Sequence, residues 1–155
     1  DEIEGIDGKS FLKALFGKEK EHRRFAYGIH NNIPEGTAYP IRSIRDKRYK
    51  LILNLTPEVE YFEKHLMNLK NERSVWASWI ESTKTDKRAR YFVDRYVKRP
   101  AIEFYDMQKD PWELNNLAEE KKYAKRIAMM KGELEAWMRQ QGDTGAQMDV
   151  KIKKQ

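Results

Sequence analysis

The sequence predicts an α+β domain in which a small antiparallel sheet of about four strands packs against helices. Three observations predict this class. Short apolar-rich segments with alternating polarity lie at 25–30, 39–45, 48–55 and 102–106. Turn-forming residues separate the first three segments, so neighbouring strands can join antiparallel. A long amphipathic helical pattern follows the last segment, and a helix of this kind can cover one face of such a sheet.

The clearest strand pair is a hairpin, with arms at 41–44 and 49–55 and a charged turn at 45–48. In the second arm the apolar side chains occupy alternate positions. Because successive side chains of a strand point to opposite faces, one set must face the core. That set is Tyr49, Leu51, Leu53 and Leu55.

Capping residues and helical spacing predict four shorter helices. The first ends at Gly17, the second begins at Thr56 and Pro57, and the third is capped by Ser74. The fourth covers 86–97 and ends before Pro100, because proline disfavours the helical conformation of the residue before it.

The segment after the last strand predicts one helical turn. Asp110 is a suitable N-cap, Pro111 fits the first helical position, and Glu113 lies where a capping box needs it. Asn115 and Asn116 tolerate the left-handed conformation that ends a helix. We therefore expect the strand at 102–106 to be followed by a turn and then by a short helix that ends at Asn115 and Asn116.

The most regular pattern in the chain predicts the long C-terminal helix, which Gly142 should end as a C-cap. Its apolar positions repeat at helical spacing and form one face: Tyr123, Ile127, Met130, Leu134, Trp137 and Met138. Residues 143–155 are polar and lack periodicity, so we expect this tail to fray.

Composition excludes several classes of protein. The chain has 155 residues, of which 39% are apolar and 36% charged, with a net charge of +6. It contains no cysteine, which excludes disulfides and thiolate zinc sites. No apolar run is long enough for a membrane span, and the N-terminus has no signal pattern. The chain begins without Met, which suggests a piece of a longer protein or a mature product.

The sequence contains no self-sufficient catalytic motif. We find no glycine-rich phosphate loop, no His-Glu-x-x-His, no Gly-x-Ser-x-Gly and no acidic cluster for a divalent metal. The three histidines, His22, His30 and His65, are dispersed. An enzymatic role would therefore need residues from elsewhere.

Four motifs in order carry a family resemblance. They are Gly-Lys-Ser-Phe-Leu at 8–12, Tyr-Pro-Ile-Arg-Ser-Ile at 39–44 with the strand at 48–55, Arg-Pro at 99–100, and the segment 105–117 with its Tyr-Asp, Asp-Pro, Glu and Asn-Leu. Together with the final helix, they resemble the C-terminal part of the sulfatase family over residues 5–142. The hairpin is most similar to the sulfamidases, the heparan N-sulfatase branch.

This resemblance implies a domain organisation. Residues 1–17 would end the connection from a catalytic domain, 18–142 would form the C-terminal subdomain, and 143–155 would be a polar tail. The subdomain would pack on the missing N-terminal catalytic domain and complete the rim of its substrate pocket. A fragment cut from that domain should expose an apolar patch and could self-associate.

The resemblance also implies a function: hydrolysis by the parent enzyme of sulfate from N-sulfated glucosamine in heparan-type glycans. Sulfatases use a formylglycine, made from Cys or Ser in a Cys/Ser-x-Pro/Ala-x-Arg motif, beside a calcium ion. Neither that motif nor the metal ligands occur here, so no cofactor is expected in this fragment and it should be inactive alone. The implied partners are the catalytic domain and the glycan, without nucleic acid or a membrane span, in an extracytoplasmic setting (periplasmic, secreted or lysosomal).

Two residues are candidates for substrate binding at the pocket rim, His30 and Arg42. An arginine fork suits a sulfate or carboxylate, and a histidine can donate to a sugar hydroxyl. The structural alternative is that Arg42 pairs with an acid at a domain interface and His30 caps its own loop. No catalytic or metal-binding residue is predicted.

Two other functions stay open. Basic segments at 18–24, 45–50 and 84–90, with aromatic residues nearby, are typical of a module that binds RNA or another polyanion. The acids Glu19, Glu21, Asp46 and Asp86 within or beside these segments weaken that hypothesis. A purely structural domain is the third possibility.

Overall fold

The computed structural model describes residues 8–70 and 74–150. Its centre is a four-stranded antiparallel sheet whose strand order equals the chain order. The strands are β1 (Ala26–His30), β2 (Ile41–Arg45), β3 (Tyr49–Asn54) and β4 (Ile102–Asp106). The predicted α+β class and all four predicted strands are confirmed.

Five helices accompany the sheet in the described part of the chain. They are α1 (Leu12–Leu15), α2 (Val75–Ser82), α3 (Lys87–Val97), α4 (Ala124–Gln140) and α5 (Ala146–Val150), with a 3-10 turn (Lys121–Tyr123) before α4. Ser74 caps α2 by accepting the Ala77 N–H at 3.1 Å, and Asp86 caps α3 by accepting the Arg88 N–H at 2.7 Å. The Ser74 cap and the helix predicted over 86–97 are confirmed.

The main core lies between α4 and one face of the sheet. Ile44 is opposite Leu51, which is opposite Phe104, so three strands present apolar side chains in one row. Met130 and Leu134 of α4 cover that row, and all five side chains are fully buried. Burying such side chains contributes about 1.5–3 kcal/mol each. The predicted apolar face of the last helix is thus confirmed.

Gly142 ends α4 as predicted. It has a φ of +68°, which glycine adopts without the strain of a side chain. Its N–H donates to the Arg139 carbonyl at 3.1 Å, and the Asp143 N–H donates to the Met138 carbonyl at 2.8 Å. This pair of hydrogen bonds is a Schellman motif.

A second core lies beside the other face of the sheet and packs against Ile41 of β2. It is formed by an excursion of the chain between β3 and β4 that contains α2 and α3. The excursion begins and ends at one point, because the Asn54 N–H donates to the Ala101 carbonyl at 3.0 Å. The buried members of this second core are Tyr39, Tyr61, Met67, Trp76 and Val93.

The helix predicted to begin at Thr56 and Pro57 is wrong, because the described residues 55–70 form turns and irregular backbone. The Tyr61 N–H donates to the Val97 carbonyl at 2.8 Å, outside its own segment. The Glu63 carboxylate accepts the N–H groups of His65 and Leu66 at 2.8 and 2.6 Å. In this segment, tertiary packing and local side-chain hydrogen bonds take the place of the backbone hydrogen bonds of a helix.

The one-turn helix predicted at Asp110 is also wrong. Asp110 accepts the N–H groups of Leu114 and Asn115 at 3.0 and 2.7 Å, which lie beyond the positions that an N-cap serves. Glu113 has a φ of +55°, so the residue assigned to the capping box has left-handed backbone. The segment is a tight turn.

The C-terminal tail does not fray up to residue 150. Asp143 and Asp149 are both buried, and α5 lies between Gly145 and the end of the described chain. Residues 1–7, part of the predicted connection, 71–73 and 151–155 lie outside the described residues. The domain boundaries at 17 and 142 stay predictions.

Within 8–70 and 74–150, no helix has the length and apolar character that crossing a membrane requires.

Candidate functional site: a groove beside the sheet

A groove with a volume of about 1020 Å³ lies on the face of the sheet opposite α4. Its floor consists of side chains from β2, β3 and β4. One wall is formed by α2 and α3, and the other by the turn at 111–114. Its lining includes Lys50, Glu103, Arg88, Arg95, Trp79 and Trp112.

The floor is held by a network centred on Arg95 of α3. Its guanidinium donates to the Tyr105 hydroxyl at 2.6 Å and to the Leu114 carbonyl at 3.0 Å, and it also contacts the Glu113 carbonyl. Tyr105 donates in turn to the Glu103 carboxylate. Arg95 therefore joins α3, β4 and the 111–114 turn into one rigid unit.

Glu103 is almost fully buried and is held from two sides. Asn54 donates to it at 2.8 Å, and the Tyr105 hydroxyl is its second partner. Burial raises the pKa of Tyr105 above its ordinary value, and the hydrogen bond to Glu103 acts in the same direction. The tyrosine consequently keeps its proton and serves as a donor, not as a base.

Two further cations border the groove. Lys50 pairs with Glu113 at 2.8 Å, and both side chains are about one quarter exposed. Arg99 is surrounded by aromatic rings, with its guanidinium carbon 4.1 Å from the Tyr61 centroid and 5.3 Å from that of Tyr96. Such cation–π contacts hold Arg99 in place at the end of the groove.

Two tryptophans present their rings to solvent at the groove. Trp112 is 80% exposed at the rim, and Trp79 stands on the opposite wall and is 42% exposed. Among the described residues, no group of three or more His, Asp or Glu side chains could hold a metal ion. The groove therefore offers hydrogen bonds, charges and ring faces for binding, and its described residues assemble no metal site.

Arg42 is not exposed at a rim but buried on the α4 side, with only 1% of its surface accessible. Its guanidinium donates to Asp143 at 3.0 Å and to Asp149 at 2.9 Å. The hydrogen bonds from Arg42 hold the pKa of Asp143 below its ordinary value. A ligand would have to displace both carboxylates to reach this arginine.

His30 lies at the exposed end of the edge strand β1, opposite Ile41. Side chains alternate along a strand, so His30 shares the face of Ile41 and Arg42 points to the other face. The structure does not bring the two predicted site residues together. A substrate-binding role stays a prediction for each of them.

Ion pairs occupy much of the basic surface on which the polyanion hypothesis depends. Lys47 pairs with Glu21 at 2.6 Å, Arg48 with Asp106 at 2.7 Å, and Lys84 with Glu81 at 2.6 Å. The Arg48 hydrogen bonds lower the pKa of Asp106, which keeps this carboxylate ionised. Paired cations attract a polyanion less strongly than unpaired ones.

The residues of the groove were not predicted from the sequence. The alternation of β4 carries one usable signal, since Glu103 and Tyr105 must face away from the core residue Phe104. Because these two polar side chains lie on the same face of β4, the sequence indicates that this face makes polar contacts. Nothing in the sequence indicates that Trp112 is exposed, because its pattern predicts a helix where the structure has a turn.

Comparisons with known proteins point to one family. The chain is 34% identical over 146 residues to an ulvan-active sulfatase of Formosa agariphila, covering 90% of this chain and 26% of that protein. It is 25% identical over 141 residues to the human N-sulphoglucosamine sulphohydrolase, covering 85% of this chain and 26% of that protein. No family model matches the chain.

A comparison with solved structures shows a shared fold. A solved structure described as a 2-O GAG sulfatase superposes with a TM-score of 0.55 at 20% identity, covering 92% of this chain and 22% of that one. An α+β subdomain with a long terminal helix is thus shared at the level of fold. By sequence, the chain is similar to a region of proteins of the sulfatase family. The solved structure shows the same fold for such a region. The chain spans about a quarter of the length of the curated relatives it matches, 26% in both cases above.

Proposed function

We propose that this chain is the C-terminal part of an enzyme that removes sulfate from a sulfated polysaccharide. The observation that carries the proposal is the 34% identity over 146 residues to an ulvan-active sulfatase. In such an enzyme this region would pack on the catalytic domain and contribute to substrate binding. Cations, hydrogen-bond donors and aromatic rings in its groove support a binding role.

The residues present do not fit the formylglycine and calcium that the family uses. The chain contains no cysteine and no serine in a Ser-x-Pro/Ala-x-Arg pattern, and its described residues include no cluster of three His, Asp or Glu side chains suited to a metal. These groups therefore belong to the catalytic domain in our proposal. The part played by this chain is to bind and orient the glycan.

Within this class, we propose N-sulfated glucosamine of heparan-type glycans as the substrate. The Tyr-Pro-Ile-Arg-Ser motif at 39–43 and the 25% identity to the human sulphohydrolase support it. The higher identity to an ulvan-active sulfatase supports an ulvan-type polysaccharide as a second candidate. Either polymer implies an extracytoplasmic location for the parent enzyme.

Sulfate release tests the proposal. The parent protein that contains this chain should release sulfate from an N-sulfoglucosamine or an ulvan oligosaccharide, and the preferred oligosaccharide identifies the substrate class. The 155-residue chain alone should release none from either, with or without calcium. Turnover by the isolated chain would contradict the proposal that catalysis belongs to the catalytic domain. A parent protein that is inactive on both substrates would contradict the proposal that it is a polysaccharide sulfatase.

A polyanion- or RNA-binding module without activity is the alternative function. The ion pairs of Lys47, Arg48 and Lys84 count against it, because they pair some of the cations from which it was inferred with acids. Titration of the chain with a single-stranded RNA separates the two functions. Tight RNA binding with a steep dependence on salt would favour the alternative.

A further inference from the structure

We propose that the groove between the 111–114 turn and the α2–α3 wall binds sugar units of a sulfated glycan, with Trp112 as a stacking surface and Arg88 as the contact for a sulfate. The inference rests on the proposed function, because it takes the ligand class from it. It adds the place of binding and the two residues that carry it.

Trp112 is exposed but not loosely held. The turn below it is fixed by Asp110, which accepts two backbone N–H groups, and by Arg95, which donates to the carbonyls of Glu113 and Leu114. Asn116 anchors the following residues by accepting the Phe104 N–H at 2.9 Å. A rigid backbone presents the 80% exposed ring in one place, so a ligand that stacks on it need not order the turn.

The opposite wall presents a cation. Arg88 is exposed on α3, and its guanidinium carbon lies 5.6 Å from the centroid of Phe92. Within the described residues, no carboxylate lies within salt-bridge distance of its guanidinium. An arginine without a carboxylate partner, stacked on a ring, can present its fork to a sulfate.

The polar lining of the groove favours a glycan over a protein partner. It contains the Lys50–Glu113 pair and the Glu103 carboxylate with its arginine and tyrosine partners. Charged residues are depleted at the centres of protein interfaces, whereas sugar hydroxyls can pair with both donors and acceptors. Aromatic faces beside such polar groups suit the alternating apolar and polar surfaces of a sugar ring.

A separate surface is available for packing on the rest of the parent protein. The four large apolar side chains in and beside α1, which we call the α1 patch, are between 55% and 68% exposed: Phe11, Leu12, Leu15 and Phe16. This patch lies in the segment that precedes the sheet and is not part of the groove lining. The groove is therefore not needed to explain how the region joins a larger chain.

Glycan titrations of the 155-residue chain test the proposal. The probes are size-defined heparan and ulvan tetrasaccharides, each with a desulfated counterpart, followed by calorimetry. The variants are Trp112→Ala and Arg88→Gln. Tyr91→Ala and Lys87→Gln are matched controls, since both residues are exposed on α3 and neither lines the groove.

Of the two sulfated probes, one will bind the unaltered chain more tightly. We expect Trp112→Ala to weaken binding of that probe at least tenfold, which is about 1.4 kcal/mol. Arg88→Gln should weaken it severalfold, and this loss should shrink as salt rises and vanish with the desulfated probe. The controls should bind as the unaltered chain does. Circular dichroism should show unchanged folding in every variant, because each altered side chain is exposed.

Three results would overturn the proposal. Equal binding by all variants would mean that the whole basic surface attracts the glycan. No binding of either probe by the chain, together with sulfate release by the parent protein, would refute the groove as a glycan site and leave the proposed function standing. A Trp112→Ala parent protein with a lower melting temperature and an unchanged KM would show that the rest of the protein covers this groove.

Discussion

At the scale of single residues, Arg42 carries a full charge in the interior of the domain. Two carboxylates, Asp143 and Asp149, balance it from a segment about a hundred residues later. Removing one member of a buried pair leaves the others charged without a partner, which costs more than the pair itself contributes. Arg42 therefore connects β2 to residues 143–149.

We predict that Arg42→Ala lowers the free energy of unfolding by about 3–5 kcal/mol, as expected for breaking a buried ion pair. Denaturation by urea measures this. Lys47→Ala is the control, and it should change the free energy of unfolding far less, because its pair with Glu21 is largely exposed.

The same variant in the parent enzyme separates a structural role of Arg42 from a substrate-binding one. A much lower melting temperature with an unchanged KM would assign it to structure. A KM raised about tenfold at an unchanged melting temperature would assign it to substrate binding.

A second prediction concerns pH. Because Arg42 lowers the pKa of Asp143 in the folded chain, the contribution of Asp143 to stability is complete above the ordinary aspartate pKa of about 4. It is lost as pH falls through the lowered value, since protonation then favours the unfolded state. The difference in unfolding free energy between the unaltered chain and Asp143→Asn should stay constant from neutral pH to about pH 5 and shrink below about pH 4. A difference that does not change in acid would contradict this.

At the scale of elements, the loop between β1 and β2 depends on a close approach at Gly36. A Cβ there would overlap the Phe62 carbonyl oxygen and lie 2.6 Å from the Asn32 side-chain nitrogen. That nitrogen donates to the carbonyls of Phe62 and Thr37 at 2.6 and 3.0 Å. The loop and the irregular segment at 55–70 thus share one tightly packed junction.

We predict opposite effects of alanine at two glycines. Gly36→Ala should destabilise the chain by about 1–3 kcal/mol through overpacking. Gly132→Ala should stabilise it by about 0.5–1 kcal/mol, because Gly132 is inside α4 and nothing lies within 4 Å of its added Cβ. Thermal melts of the two variants measure the effects, and equal shifts in one direction would refute this account of the loop.

Elements defined by local rules could be predicted from the sequence, and those defined by distant contacts could not. The strands followed from alternation, α3 from its spacing and Pro100, and α4 from its spacing and Gly142. The segment at 55–70 has helical spacing, but its backbone is irregular. Tyr61 and Met67 of this segment are nevertheless buried in the second core. The buried role of Arg42 depended on two aspartates in a tail whose pattern gave no reason to expect folding.

At the scale of the whole molecule, the chain exposes apolar surface at one end. The α1 patch has four large side chains on α1 and its neighbouring residues, which is typical of a surface that another chain covers. In the isolated chain no parent domain covers it. Association of two copies through this patch would bury the same side chains.

We predict that the isolated chain self-associates as its concentration rises and that Leu15→Glu reduces this association. The added charge would have to be buried in the contact. Leu69→Glu is the matched control, because Leu69 is also exposed, at 57%, but lies outside the patch. Sedimentation velocity measures the effect, and equal association by both variants would exclude the α1 patch.

The candidate site could not be predicted as a site, because it exists only in the folded molecule. Its side chains come from three strands, two helices and one turn that lie far apart in the chain. Sequence patterns reveal chemistry when the participating residues are neighbours in a motif. Here Arg95 and the turn that carries Trp112 become neighbours through hydrogen bonds between α3 and that turn.

The two ends of the β3–β4 excursion lie close together, so the excursion could be replaced by a segment of another length. Asn54 and Ala101 are hydrogen-bonded neighbours, so a chain that turned directly from one to the other would still form all four strands and keep the core under α4. The second core, the α2–α3 wall, the Arg95 hydrogen bonds and the junction between the Gly36 loop and Phe62 would be lost. Evolution can therefore lengthen, shorten or replace this wall, and with it the preference for a ligand, while the sheet that stabilises the domain stays the same.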